Sequence, residues 1–265
     1  MADSISPEAM TSPNEDKGPL VLGSILAAVV LATFFVVARL YARGFLLKRF
    51  FLDDYFVCFG LLCAWLAVGL QIVAIKNGFG RHIYALSDED RTKAVKYTTI
   101  AFVPGVLSFG IPKLAVVALL TRVLASVAST WHRVFLWVLV ITCNIFLALV
   151  AVFVLLQCRP LQMLWDPTTT GTCWDRNLQI NFSIFASSFS AATDLYLAIY
   201  PTIVLAKLRI GRLKKFMLSL ALGLGFVSAI VAIYRSTLIP RLAIPDMTYA
   251  VSELVIWTMS ARARS

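Results

Sequence analysis

Four ionisable residues stand inside or at the edge of long apolar runs: Lys113, Asp194, Arg235 and Glu253. A charge at the centre of a membrane helix costs at least ~2.5–3.5 kcal/mol on insertion scales, so such residues pair, line a polar cavity or carry function. Lys113 falls sixteen residues into its run and Asp194 fourteen into its own. At a helical rise of 1.5 Å per residue, both sit ~21–24 Å from the same end of their helices. Arg235 and Glu253 also share a depth, near that same end, and have opposite signs. Each pair has two readings. It holds neighbouring helices in register, or it forms a polar pocket or ion path that accepts a ligand.

Two cysteines carry a second kind of chemistry. Cys158 and Cys173 flank a polar loop holding Pro160, Trp165, Gly171 and Trp174. A loop that closes on itself over fifteen positions suits a disulfide, and disulfides persist on the oxidising side of a membrane. Cys58, Cys63 and Cys143 lie within apolar runs, where a lone thiol behaves as a small hydrophobe. A third feature is cationic: Lys207, Arg209, Arg212, Lys214 and Lys215 crowd into nine residues, a surface suited to an acidic partner. His82 and His132 are scattered, and no nucleophile–base set or metal-ligand spacing accompanies them. The chain is therefore read as non-enzymatic and without a metal.

The elements that would position these groups are six apolar runs, residues 20–40, 55–75, 97–121, 134–157, 180–205 and 216–239. About twenty helical residues cross a ~30 Å hydrocarbon core. Hydrophobic residues make up 60% and charged residues 14% of the 265, whereas soluble domains carry about 25% charged residues. The expected fold is all-α, a polytopic transmembrane helix bundle of the seven-span type with six full spans and a truncated seventh. The last run, residues 247–260, covers only ~20 Å as a helix. It is read as the start of a span that continues beyond Ser265. Residues 1–19 read as a disordered acidic tail, 20–260 as the membrane domain and 261–265 as a short C-terminal tail.

The net charge of +10 does not indicate nucleic acid, because the basic residues flank the spans instead of forming one patch. With the N-terminus outside, inner loops hold eleven Lys and Arg against nine outside. The bridged loop, which belongs on the oxidising face, decides for that orientation, and the plasma membrane is the expected location. Asp53 and Asp54 open the second span, where carboxylates cap free N–H groups; Arg39 and Arg43, one turn apart, are within reach of them. Pro104 and Pro112 in the third span, beside Gly105 and Gly110, are expected to kink it.

The order of these marks resembles the fungal rhodopsin-domain family. The resemblance rests on Arg39-Leu-Tyr-Ala-Arg43, Asp53-Asp54, Gly78-Phe-Gly80-Arg-His82, Lys113 with Leu-Leu-Thr-Arg122, and Gln157-Cys158-Arg-Pro160 with Trp165, Gly171 and Cys173. Asp194 with Pro201, Lys207-Leu-Arg209 and Ala232-Ile-Tyr-Arg235 complete it. It implies a seven-span membrane protein of a filamentous fungus, some of whose relatives look like G-protein-coupled receptors. The lipid bilayer and a cytoplasmic G protein or other acidic partner are the expected associates. The family name suggests retinal, but residues 247–260 contain no lysine for a Schiff base, so no cofactor is expected. A small-solute or ion transporter using the Lys113–Asp194 pair is the alternative function.

Overall fold

The computed structural model describes residues 18–48, 50–80, 87–123, 129–166 and 169–206. Arg235, Glu253 and the basic stretch Lys207, Arg209, Arg212, Lys214 and Lys215 lie outside the described residues, as do the sixth and seventh apolar runs. Within them the fold is all-α apart from one two-residue ribbon. Five helices are long and apolar enough to cross a membrane.

Helix α1 spans Gly18–Tyr41 and runs on into a π-helical turn, Ala42–Leu47. It begins two residues inside the expected disordered tail. Lys48, in the left-handed conformation at φ 48°, closes the turn by donating its N–H to the Arg43 carbonyl. After this stop, α2 runs Leu52–Lys76, α3 Asp88–Val123 and α4 Thr130–Leu156. A 3₁₀ turn at Leu161–Leu164 lies between the ribbon strands β1 (Cys158–Arg159) and β2 (Thr172–Cys173). Helix α5 then runs Arg176–Ala206. Successive helices alternate in direction, so the start of α1, the α2–α3 connection and the ribbon share one end. The starts of α2 and α4 and the ends of α1, α3 and α5 share the other.

Each helix starts ahead of its apolar run, and for α3 and α5 local capping explains it. Ser87 Oγ accepts the Asp90 N–H at 3.3 Å, and Asp88, Glu89 and Asp90 fill the first turn of α3, where the helix dipole favours negative charge. The helix therefore starts nine residues before the apolar stretch at Tyr97. Asp175 Oδ1 likewise accepts the Asn177 N–H at 3.0 Å, starting α5 ahead of its own run. The kinks expected at Pro104 and Pro112 do not interrupt α3, which is helical through both. Pro112 instead fills the space against α2 left by Gly60, whose absent Cβ would lie 3.1 Å from Pro112 Cγ.

The helices pack through a narrow apolar seam. Val117 and Leu120 of α3, Leu136 and Val140 of α4 and Leu197 of α5 form the main buried cluster, with Trp137, Tyr196 and Tyr200 against it. Phe146 and Phe153 of α4 meet Phe182, Phe185 and Phe189 of α5 edge to face, with centroids 4.9–6.4 Å apart. Such pairs add about 0.5–1.5 kcal/mol each beyond area burial. Large apolar side chains also point outward, including Phe34 at 66% and Leu62 at 66% exposure. A water-soluble protein does not present whole helices this way; lipid is the surrounding that makes them favourable.

Candidate functional site

Polar chemistry concentrates at three levels of the bundle. Midway along α3, Lys113 is buried at 8% exposure. Its Nζ donates to Asp194 Oδ1 at 2.8 Å, to Ser190 Oγ at 2.6 Å and to the Ser190 carbonyl at 3.1 Å. An ammonium has three N–H donors, and these contacts occupy all three. Ser190 and Asp194 are four residues apart, on one face of α5. The depth matching of the sequence thus brings Lys113 and Asp194 together, and Ser190 joins them unannounced. Serine is common in apolar helices, and nothing in its spacing marks it apart from its position one turn before the aspartate.

A larger cluster occupies the end where α1, α2 and α3 meet. Asp53 Oδ2 accepts from Arg39 Nη2 and Arg43 Nη1, both at 2.6 Å, while Asp53 Oδ1 accepts from Arg122 Nη2 at 3.0 Å. Asp54 Oδ1 accepts from Arg43 Nη1 at 2.8 Å and Arg39 Nε at 3.2 Å, and Asp54 Oδ2 accepts the Phe51 N–H at 3.1 Å. Asp54 therefore caps α2 as expected, whereas Asp53, with no exposed side-chain surface, is held by guanidinium groups. The Phe51 ring lies 3.5 Å under the Arg122 guanidinium carbon, a cation–π contact of about 0.5–2 kcal/mol. Three arginines on two aspartates leave one net positive charge.

Arg122 is the residue that spacing alone does not place here. It is 69 positions from Asp53 and reads in the sequence as one more flanking cation. Its signal is its position at the end of α3, the same membrane face at which α2 starts. Five charges from three helices in one network form a latch: helix ends cannot separate here without exposing buried charge, which costs several kcal/mol per ion.

At the opposite end, Cys158 and Cys173 are disulfide-bonded and face each other in the antiparallel β1–β2 ribbon. Closing a loop of about 15 residues stabilises by about 3 kcal/mol in the chain-entropy account. Gly171 permits the closure, because a Cβ there would strike the Arg159 carbonyl oxygen and come within 2.8 Å of Pro160 Cδ. The loop lies down on the helices. Lys96 Nζ near the start of α3 sits 5.8 Å from the Trp165 ring centroid, Trp174 packs on Phe153 at 6.0 Å, and the Trp174 N–H donates to Gln157 O at 2.8 Å. It is a lid pinned by one bridge and two tryptophans.

The His132 ring stacks on that of Tyr200, with centroids 5.7 Å apart. Among the described residues no three His, Cys, Asp or Glu converge on a metal position.

Comparison with known proteins bears on what this arrangement belongs to. The family model described as fungal rhodopsin domain matches residues 38–261. The chain is 24% identical over 245 residues to Fugralins biosynthesis cluster protein 2 of Gibberella zeae, covering 88% of this chain and 58% of that protein. It is 27% identical over 149 residues to Wortmanamides biosynthesis cluster protein C of Talaromyces wortmannii, covering 56% of this chain and 38% of the relative. The chain thus spans well under two thirds of the curated relatives it matches. No solved structure matches it.

Proposed function

The chain belongs to the fungal rhodopsin domain family, and from that premise we propose that it is a receptor-like sensor that takes a small-molecule cue at the lid end and reports it at the arginine end. Its N-terminus and lid face outward in the plasma membrane. The observation that carries the reading is the division of labour along α3. Lys96 touches the lid, Lys113 ties the middle of the helix to α5, and Arg122 joins the Asp53 latch. One continuous helix therefore links the mouth of the bundle to its opposite end. Relatives named for biosynthesis clusters favour a small organic cue over a protein one. On this reading the stretch holding Lys207, Arg209, Arg212, Lys214 and Lys215 meets a G protein or other acidic partner, and Arg235 and Glu253 are further candidates for binding the cue.

On this reading Lys113 is not an attachment point for retinal, because its three donors go to Asp194 and Ser190 and a simple ion pair accounts for it. The same saturation weighs against a transporter in which Lys113 and Asp194 form an ion path, although a buried pair is the feature such a transporter would use.

Nucleotide exchange on a fungal G protein, reconstituted with the full-length protein in vesicles and exposed to a small-molecule panel, tests the proposal. Cue-dependent acceleration is expected, and no acceleration by any member of the panel overturns the proposal. Solute flux that Asp194→Asn abolishes, without any effect on exchange, replaces it with the transporter.

A further inference from the structure

A groove of about 600 Å³ opens on the flank of the bundle where the start of α4 passes the end of α3 and the start of α2. It is independent of the lid and of the Lys113–Asp194 pair. Its lining contains two arginines, Arg122 and Arg133, two threonines, a tryptophan and apolar side chains, with no acidic residue. It is a shallow groove open to the surroundings of the bundle, which suits a ligand held along one side.

The polarity of the groove is ordered by depth. Thr130 and Arg133 stand in the first turn of α4, beside Trp131, which at 83% exposure marks the interface level preferred by indole rings. Trp137 is one turn deeper. Val138 and Ile141 lie deeper still, Ile141 about 12 Å along the axis from Arg133 at 1.5 Å per residue. The mouth is cationic and hydroxylic and the floor is hydrocarbon. A free anion would use only the mouth; an amphiphile uses both.

Arg133 supplies the second observation. Its Nε is buried and has no hydrogen-bond partner, and among the described residues its Nη2 reaches the Thr130 hydroxyl, at 3.3 Å. No salt bridge to Arg133 occurs among the described residues. A buried guanidinium N–H without an acceptor is costly. The residue as a whole is only half-buried, and a guanidinium beside the mouth is a charge-assisted donor to a phosphate oxygen. Arg122, by contrast, is anchored on Asp53 by Nη2 while its side chain remains 38% exposed towards the groove.

We propose that this groove is a binding site for one anionic phospholipid of the leaflet opposite the lid, its phosphate between Arg122 and Arg133 and an acyl chain along Trp137, Val138 and Ile141. Because Arg122 also holds Asp53, the bound headgroup touches the charge latch directly.

The test is native mass spectrometry of the full chain released from detergent with matched phosphatidylinositol or phosphatidylcholine, alongside inorganic phosphate as the headgroup-only arm. Phosphatidylinositol is expected to stay bound at least about fivefold more than phosphatidylcholine, and Arg133→Gln to remove about fivefold of that preference, the share of one basic residue at a membrane surface. Val138→Trp, filling the groove from a site already 56% exposed, is expected to expel the lipid while leaving the thermal midpoint unchanged. Arg91→Gln, at the other end of α3, is expected to leave binding intact. Equal retention of the two lipids, or Arg133→Gln behaving like Arg91→Gln, overturns the site. Displacement of phosphatidylinositol by millimolar phosphate overturns the lipid in favour of a free anion.

Discussion

Asp194→Asn keeps the size of the side chain and removes its charge. Lys113 then retains Ser190 Oγ at 2.6 Å and the Ser190 carbonyl at 3.1 Å but loses the countercharge 2.8 Å away. At that distance and an effective dielectric of 20 the bare attraction is about 6 kcal/mol, much of it offset by desolvation of both groups. Breaking a buried pair by removing one partner costs about 3–5 kcal/mol. The Asp194 side chain is 20% exposed and Lys113 keeps two acceptors, so the lower end, about 3 kcal/mol, is expected. For a chain of this size that is a fall in thermal midpoint on the order of 6–12 °C, followed by tryptophan fluorescence in mild detergent. The double variant Lys113→Met with Asp194→Leu leaves no orphan charge and is expected to return to within about 1 kcal/mol of the natural protein. A single variant that melts within 2 °C of the natural protein, or a double variant that simply sums its parts, refutes the reasoning.

Three further outcomes follow from the two ends of the bundle. Asp53→Asn leaves Arg39, Arg43 and Arg122 without their shared carboxylate, and a sharp loss of monodisperse protein on size exclusion is expected, consistent with about 3–5 kcal/mol. Cys158→Ser frees the lid at a cost of about 3 kcal/mol, and limited chymotrypsin should then cut after Trp165 many times faster than in the oxidised natural protein. Gly171→Ala, which drives a Cβ into the Arg159 carbonyl, should lower the fraction of bridged protein on non-reducing gels, whereas Gly23→Ala, with open space around it, should not.

The helices were legible because lipid-facing segments write their length directly into the sequence as apolar runs. Their ends were not, because Ser87 and Asp175 extend α3 and α5 with polar residues that hydropathy counts against a helix. The Lys113–Asp194 contact was legible because a helix converts residue count into depth, and unlike charges at one depth in oil attract strongly. The disulfide was legible from two cysteines bracketing a polar loop. Arg122 on Asp53 was not, because a cation at a helix end has a sufficient explanation in orientation alone, and only the packing of α2 on α3 shows which carboxylate it reaches. The pairing of Asp53 and Asp54 with Arg39 and Arg43 was legible from their places on either side of a tight connection, and Asp54 caps α2 as well. The packing role of Pro112 was not legible either. Pro112 is matched to Gly60 across the α2–α3 seam, a fit that no single helix displays.

The account depends on a membrane-spanning bundle with its N-terminus and disulfide lid on the outer face and the arginine latch on the inner one. Single cysteines introduced at Ser12 and Ser126, each probed with a membrane-impermeant maleimide on intact and permeabilised cells, test this most directly. Labelling of Ser12→Cys on intact cells, and of Ser126→Cys only after permeabilisation, is the predicted result. The reverse pattern, or labelling of both positions on intact cells, contradicts it.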